Sequence, residues 1–154
     1  NKEVGSNLFH LDIYGPIEKS FEEELKKTIS TSAEFVEYKG IIDSDIASNI
    51  IKEYDLMLFL TFWPSEGFPG TIIDSFSSGV PVIATDWNCN FEIIIENYTG
   101  FKVNIHSPKE VSLILIDCIN NRDKIRKMKK NCLNEAQKYL PAKVMQIFYN
   151  EIDK

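Results

Sequence analysis

Residues 56–85 read Leu56-Met57-Leu58-Phe59-Leu60-Thr61-Phe62-Trp63-Pro64-Ser65-Glu66-Gly67-Phe68-Pro69-Gly70-Thr71-Ile72-Ile73-Asp74-Ser75-Phe76-Ser77-Ser78-Gly79-Val80-Pro81-Val82-Ile83-Ala84-Thr85. An apolar run, a turn-rich loop, a short amphipathic stretch and a second apolar run follow one another, the order strand, loop, helix, strand of a parallel α/β unit. Leu56 to Thr61 is almost wholly apolar, which predicts a strand at the centre of a sheet, covered on both faces. Thr61 to Gly70 forms the loop and about Thr71 to Ser78 the helix, which Gly79 can end in a left-handed conformation. Pro81 to Thr85 is the next buried strand.

The same alternation continues on either side. Toward the amino terminus, Leu8 to Tyr14 reads as a strand stopped by Gly15-Pro16. Glu18 to Thr31 is a helix with Phe21, Leu25 and Ile29 at intervals of four. Phe35 to Tyr38 is a short strand ending at Gly40, and Asp43 opens a helix carrying Ile46, Ile50 and Ile51. Toward the carboxyl terminus, Asn90 can cap a helix through Glu96, Asn97 to Gly100 turns, and Phe101 to Val103 is the last strand. Helices follow over Pro108 to Asn120 and Arg122 to Tyr139, with a break at Pro141 and a final helix near Ala142 to Ile152. No repeat, linker or low-complexity segment interrupts this, so residues 1–154 are expected to form one domain with a helical tail.

Composition narrows the function classes. At 154 residues, 44% hydrophobic, with 10 Phe, 6 Tyr and 2 Trp, the chain can bury a real core, which excludes disordered, collagenous and disulfide-scaffold proteins. A net charge of -6 disfavours nucleic acid and anionic lipid as partners of the whole surface. Cys89, Cys118 and Cys132 make no Cys-x-x-Cys and are odd in number, which points to reduced thiols, a cytoplasmic setting and packing roles. No apolar run approaches the roughly 18 residues that span a bilayer, and the first residues do not read as a signal peptide, so a soluble chain is expected.

Chemistry concentrates where the first apolar strand hands over to the helix, since open parallel sheets bind ligands beyond the carboxyl ends of their strands. Gly67, Pro69 and Gly70 let the backbone approach a ligand. The N–H groups of Gly70, Thr71 and Ile72 open the helix and suit a phosphate. Ile72, Ile73 and Phe76 form the core side of that helix, with Thr71, Asp74, Ser75 and Ser78 as a polar stripe on the other. Glu66 and Asp74 frame the loop, and carboxylates that accept hydrogen bonds suit the vicinal diols of ribose or a hexose.

Pro64-Ser65-Glu66-Gly67-Phe68-Pro69 through Asp74, followed by Gly79-Val80-Pro81-Val82-Ile83-Ala84-Thr85-Asp86, resembles the carboxyl-terminal domain of the group 1 (family 4) glycosyltransferases of GT-B fold. The resemblance extends from Leu11 onward, through the glycine turn at Gly15, the loop at Gly40, Glu92-Ile93-Ile94 and Thr99-Gly100-Phe101. It implies an α/β, Rossmann-like parallel sheet with helices on both faces, and a nucleoside diphosphate sugar as donor substrate, without a metal or other cofactor. It places Glu66 at the reaction as the acid that binds donor-sugar hydroxyls, orienting the sugar rather than attacking it. By the same resemblance Ser65, Gly67, Phe68 and Pro69 contact the sugar, Gly70, Thr71 and Ile72 meet the diphosphate, Asp74 binds ribose, and Gly15 and Gly40 line the nucleotide pocket. The implied activity is retaining transfer of a hexose to an acceptor hydroxyl in bacterial surface polysaccharide assembly, in the cytoplasm or at the inner face of the membrane.

Two departures from the family pattern matter. The second acid is usually Glu and here is Asp74, one methylene shorter. The family's domain also normally begins with an earlier strand and loop that supply an Arg and a Lys to the diphosphate. The chain is therefore expected to be a fragment, lacking its first strand and the amino-terminal acceptor domain, and inactive in transfer when isolated.

Other readings compete at several positions. Two acids could be the pair of a glycosidase, but a glycine-rich helix start favours anions. Asp43-Ser44-Asp45 imitates a metal-binding Asp-x-Asp, yet Asp43 stands where a helix cap belongs. His10 and His106 have no ligand cluster around them in sequence. Lys124-Ile125-Arg126-Lys127-Met128-Lys129-Lys130 is the one basic run; Ile125, Met128, Cys132 and Ala136 form its core stripe, so its charges cover a solvated face, with peripheral membrane contact as the sharper alternative. Trp63 and Phe68 either flank a sugar ring or close the loop. A non-catalytic nucleotide-binding or receiver-like interaction module is the alternative function, but Leu8 to Gly15 offers only Asp12 for the acidic pair a receiver needs.

Overall fold

The computed structural model of the chain describes residues 1, 4–6, 8–32 and 34–152, without the side chains of 147 and 151. Every strand pairing among them is parallel. Contacts divide the chain into two compact units, Asn1–Ile46 and Ala47–Lys154.

In the first unit, β1 (Leu11–Tyr14) pairs with β2 (Val36–Gly40), with α1 (Glu22–Ser30) between them in sequence. The register runs Leu11 to Val36, Asp12 to Glu37 and Ile13 to Tyr38, then slips so that Tyr14 meets Gly40. α1 starts later than Glu18 because Phe21 N–H donates to the Glu18 carbonyl at 2.9 Å, closing a turn first. Glu22, Glu23 and Glu24 then occupy its first turn, where carboxylates offset the positive end of the helix. α2 (Ser44–Ile51) straddles the division between the units and begins as expected: Asp43 Oδ1 accepts the Asp45 N–H at 3.1 Å, as a helix cap does.

The second unit carries a three-stranded sheet in the order β3 (Met57–Phe59), β4 (Val82–Thr85), β5 (Gly100–Val103). Its helices are α3 (Gly70–Ser77), α4 (Asn90–Ile93), α5 (Pro108–Asn120), α6 (Arg122–Ala136), a 3-10 turn (Gln137–Tyr139) and α7 (Pro141–Ile152). β4 decides the layering, because successive side chains point to opposite faces of a strand. Val82 and Ala84 join Ile72 and Phe76 of α3, Ile93 and Ile94 near α4, and Cys132 and Ala136 of α6. Ile83 faces the other way, to Phe101 and Val103 of β5, Cys118 of α5, and Ile125 and Met128 of α6. One strand thus anchors two apolar layers, and α6 contributes to both through the stripe expected from its sequence.

Three local expectations change. The apolar run at Leu56 does touch both layers, Met57 and Phe59 on one side and Leu56 and Leu58 on the other, but β3 is an outer strand of this sheet. Central place belongs to β4, whose four residues are all buried. Ser75 is fully buried instead of lying on the polar stripe of α3. Its hydroxyl donates to the Val80 carbonyl at 2.8 Å and its own carbonyl accepts the Val80 N–H at 2.9 Å, so a serine closes the turn at which Gly79 adopts φ 71°. Asn90 is the first residue of α4 and not its cap; its side-chain amide donates to the Thr85 carbonyl at 3.0 Å and ties the helix to the end of β4.

The thiols behave as packing groups. Burial pushes Cys132 up to about 12 and Cys118 up to about 11, so both stay protonated at neutral pH. The basic run is largely paired: Lys124 to Asp117 at 3.0 Å, Arg126 to Asp123 at 2.9 Å and Lys129 to Asp55 at 2.8 Å. Among the described residues, no helix is long and apolar enough to cross a membrane.

Candidate functional site

Two of the expected residues meet in the first unit. Gly15 and Gly40 end β1 and β2, both with positive φ, and Gly15 N–H donates to the Gly40 carbonyl at 2.9 Å. The Tyr38 hydroxyl donates to the Gly15 carbonyl at 2.7 Å. The two glycine turns, 25 positions apart in sequence, are therefore one feature at the carboxyl ends of the paired strands.

The remaining expected residues lie in the second unit, on the segment after β3 and on α3. Thr61 ends the apolar run, and its hydroxyl does two things: it accepts the Trp63 N–H and lies within bonding distance of Glu66 Oε2, both at 3.2 Å. Glu66 is half-buried, and its N–H donates to the Trp63 carbonyl at 3.0 Å, so both ends of the residue are tied to the turn before it. Ser65, Gly67, Phe68, Gly70 and Thr71 are exposed, while Pro69 is buried. A Cβ added at Gly67 or Gly70 would meet nothing within 4 Å, so the backbone there is bare to an approaching group.

α3 starts after Pro69, which is extended at φ -79° and ψ 98°, and no side chain caps it. The first N–H groups of a helix lack intrahelical partners, and with the helix dipole they favour an anion. Ile72 departs from the expectation: its N–H is taken by the Pro69 carbonyl at 3.1 Å, and its side chain is fully buried. The N–H groups of Gly70 and Thr71 precede it at the start of the helix. Asp74 is exposed two residues further along the same helix. Trp63 is 65% exposed, whereas Phe68 packs its ring 5.7 Å from that of Tyr139.

What the residue pattern did not disclose is how this loop is held. Three donors at the end of β4 and just beyond it reach its carbonyls in order: the Thr85 hydroxyl to Thr61, the Trp87 indole N–H to Trp63 at 2.9 Å, and the Asn88 amide to Glu66 at 2.9 Å. The only sequence hint was that a strand otherwise apolar ends on Thr85 and is followed by the polar Asn88. Among the described residues, no group of three or more His, Cys, Asp or Glu side chains gathers where a metal ion could be held.

Comparison with known proteins places this arrangement. HepE of Anabaena, solved with UDP, superposes with a TM-score of 0.81 at 20% identity, over 95% of this chain and 41% of that one. A glycosyltransferase from Rickettsia africae superposes at 0.79, with 24% identity, over 94% of this chain and 39% of that one. The C-terminal domain of LpcC, a glycosyl transferase group 1 family protein from Francisella tularensis, superposes at 0.68 with 21% identity, over 80% of this chain and 64% of that one. At these identities the likeness is one of fold, the Rossmann-like α/β fold of GT-B enzymes. The chain spans about two fifths of the length of the first two proteins. No curated protein matches it by sequence. The sequence profile described as glycosyl transferases group 1, however, matches residues 2–121, most of the chain, with the Glu66 loop and α3 inside the match, and the chain therefore belongs to that family.

Proposed function

We propose that this chain is the donor-binding part of a retaining glycosyltransferase and takes a nucleoside diphosphate hexose. The observation that carries the reading is the Glu66 loop: a half-buried carboxylate held by a neighbouring hydroxyl, followed at once by bare backbone and an uncapped helix start. HepE has been solved with UDP and with UDP-glucose, which supports a nucleotide sugar as the ligand class.

On this reading the Glu66 carboxylate accepts hydrogen bonds from donor-sugar hydroxyls, and the N–H groups of Gly70 and Thr71 face the diphosphate. Asp74 accepts from the ribose, and in the first unit Gly15 and Gly40 are assigned to nucleotide binding. Ser65, Gly67, Phe68 and Pro69 shape the sugar side. Because charge grows on the departing diphosphate, fixed donors aimed at it lower the barrier without rearranging, and the same contacts hold the anomeric carbon in place for the acceptor hydroxyl. Transfer belongs to the whole protein, of which the family's acceptor-binding half would be the other part. A role in surface polysaccharide assembly, at the cytoplasmic face of a membrane, completes the proposal.

The test is calorimetry with UDP, GDP and ADP and their glucose conjugates. At least one conjugate is expected to bind, with Asp74→Ala weakening diphosphate and conjugate alike and Glu66→Gln weakening the conjugate alone. A chain that binds none of the six compounds defeats the reading. Sugar transfer by the isolated chain would contradict its assignment as a donor half.

A further inference from the structure

The Glu66 carboxylate is useful to a sugar only if it points one way. A hydroxyl has one proton and two lone pairs. The Thr61 hydroxyl accepts the Trp63 N–H at 3.2 Å on a lone pair, and because a carboxylate only accepts, its proton goes to Glu66 Oε2 at the same distance. That bond fixes how the carboxylate is turned and leaves Oε1, with both of its acceptor sites, to meet a ligand hydroxyl. The main chain of Glu66 is held independently, by the Asn88 amide on its carbonyl at 2.9 Å. Asn88 has φ 45°, in the left-handed region that Asn tolerates better than most residues.

From this double hold, and resting on the proposed function above, we infer that Thr61 and Asn88 are positioning residues that aim Glu66 at the donor sugar. Thr61 acts through the carboxylate and Asn88 through the backbone. Neither touches the nucleotide on this assignment, so their loss separates recognition of the sugar from recognition of the diphosphate. A merely structural role would weaken both together.

The experiment measures, for whichever diphosphate and glucose conjugate bind, the ratio of their dissociation constants; that ratio isolates what the sugar contributes. Thr61→Val keeps the shape and removes the hydroxyl, while Thr61→Ser restores it. Asn88→Gly keeps the positive φ without strain and removes only the amide. Thr61→Val is expected to lower the ratio about tenfold, the scale of one hydrogen bond to a charged group. Asn88→Gly is expected to lower it about threefold, the scale of one neutral hydrogen bond. Diphosphate binding should stay within about twofold in both, Thr61→Ser should behave as the parent, and thermal melts should confirm that each variant folds.

An unchanged ratio in Thr61→Val, with Glu66→Gln still lowering it, overturns this inference and leaves the proposed function standing. Equal loss of diphosphate and conjugate in the folded variant overturns it too, as a structural effect. If no compound binds the parent chain, or Glu66→Gln leaves the ratio unchanged, the assignment of Glu66 falls and the inference falls with it.

Discussion

The β4 layer and the β1–β2 unit are both parallel α/β structures, yet they are held by different means. All the buried hydrophobic side chains among the described residues lie between Ile72 and Ala136, and β4 is buried at every position. In the first unit, α1 buries no residue, and the strands read as half-buried or exposed throughout. There the chain relies on local devices: an acidic first turn, the Lys26–Glu22 pair at 2.7 Å, the Asp43 cap and the tyrosine-held glycine turn. Such devices are individually weak, and exposed ones weaker still, whereas one fully buried aliphatic or aromatic side chain is worth about 1.5 to 3 kcal/mol. The lesson is that a common pattern of strands and helices does not imply a common source of stability.

The largest effect expected from this contrast is at Gly100. A Cβ there would fall on the Val82 carbonyl of the neighbouring strand, and backbone cannot step aside as a side chain can. Gly100→Ala should abolish the cooperative melt of the second unit, while Gly67→Ala, in open space, should melt as the parent does. A normal melt for Gly100→Ala would mean that the β4–β5 register is wrong. Next comes Phe76→Ala, which should cost about 3 to 5 kcal/mol in urea unfolding. Ile29→Ala on the half-buried stripe of α1 should cost no more than about 1. Similar costs at the two positions would erase the distinction between the units.

Ser75→Ala should fall between these. It leaves the buried Val80 carbonyl without its hydroxyl donor, for a loss of about 1 to 3 kcal/mol measured in the same denaturant series. An effect near zero would show that the turn after α3 is held by its backbone bonds alone. The smallest effect concerns pH. The hydrogen bond from Lys124 holds the Asp117 carboxyl below its ordinary value of 3.8. A depressed folded pKa adds stability that is present above the unfolded value and is lost as pH falls through the folded one. Melting temperature should therefore fall more steeply below about pH 4 in the parent than in Asp117→Asn, with the two curves parallel at neutral pH. Identical acid limbs would show that this tie between α5 and α6 adds nothing.

Much of this was legible along the chain because the governing contacts are local. α5 covers the expected Pro108 to Asn120, since proline suits a first helical position and the apolar spacing persists to the end. The stripe Ile125, Met128, Cys132 and Ala136 is buried as its spacing requires, and Gly79 takes the left-handed end of α3. Where reading failed, a partner outside the helix had overruled the helical pattern. Ser75 looks like a surface residue until the chain turns back and offers it the Val80 carbonyl. Asn90 looks like a cap until Thr85 is close enough to take its amide. The run from Leu56 looks central because apolar composition reports burial on both faces, and burial on both faces does not say which strand has two neighbours.

The sequence by itself determined the order of elements, the parallel α/β class, the family resemblance and the two acids that frame the loop. These depend on periodicity, turn chemistry and the spacing of residues a few positions apart. Only the tertiary structure decided that β4 is the strand with two neighbours, that Gly15 and Gly40 form one turn, and that the Glu66 loop is held by Thr85, Trp87 and Asn88. Those donors lie 22 to 24 positions from the carbonyls they reach. Folding must bring two strand ends side by side before a side chain on one can fix the backbone of the other, and no local pattern records which pairs will meet.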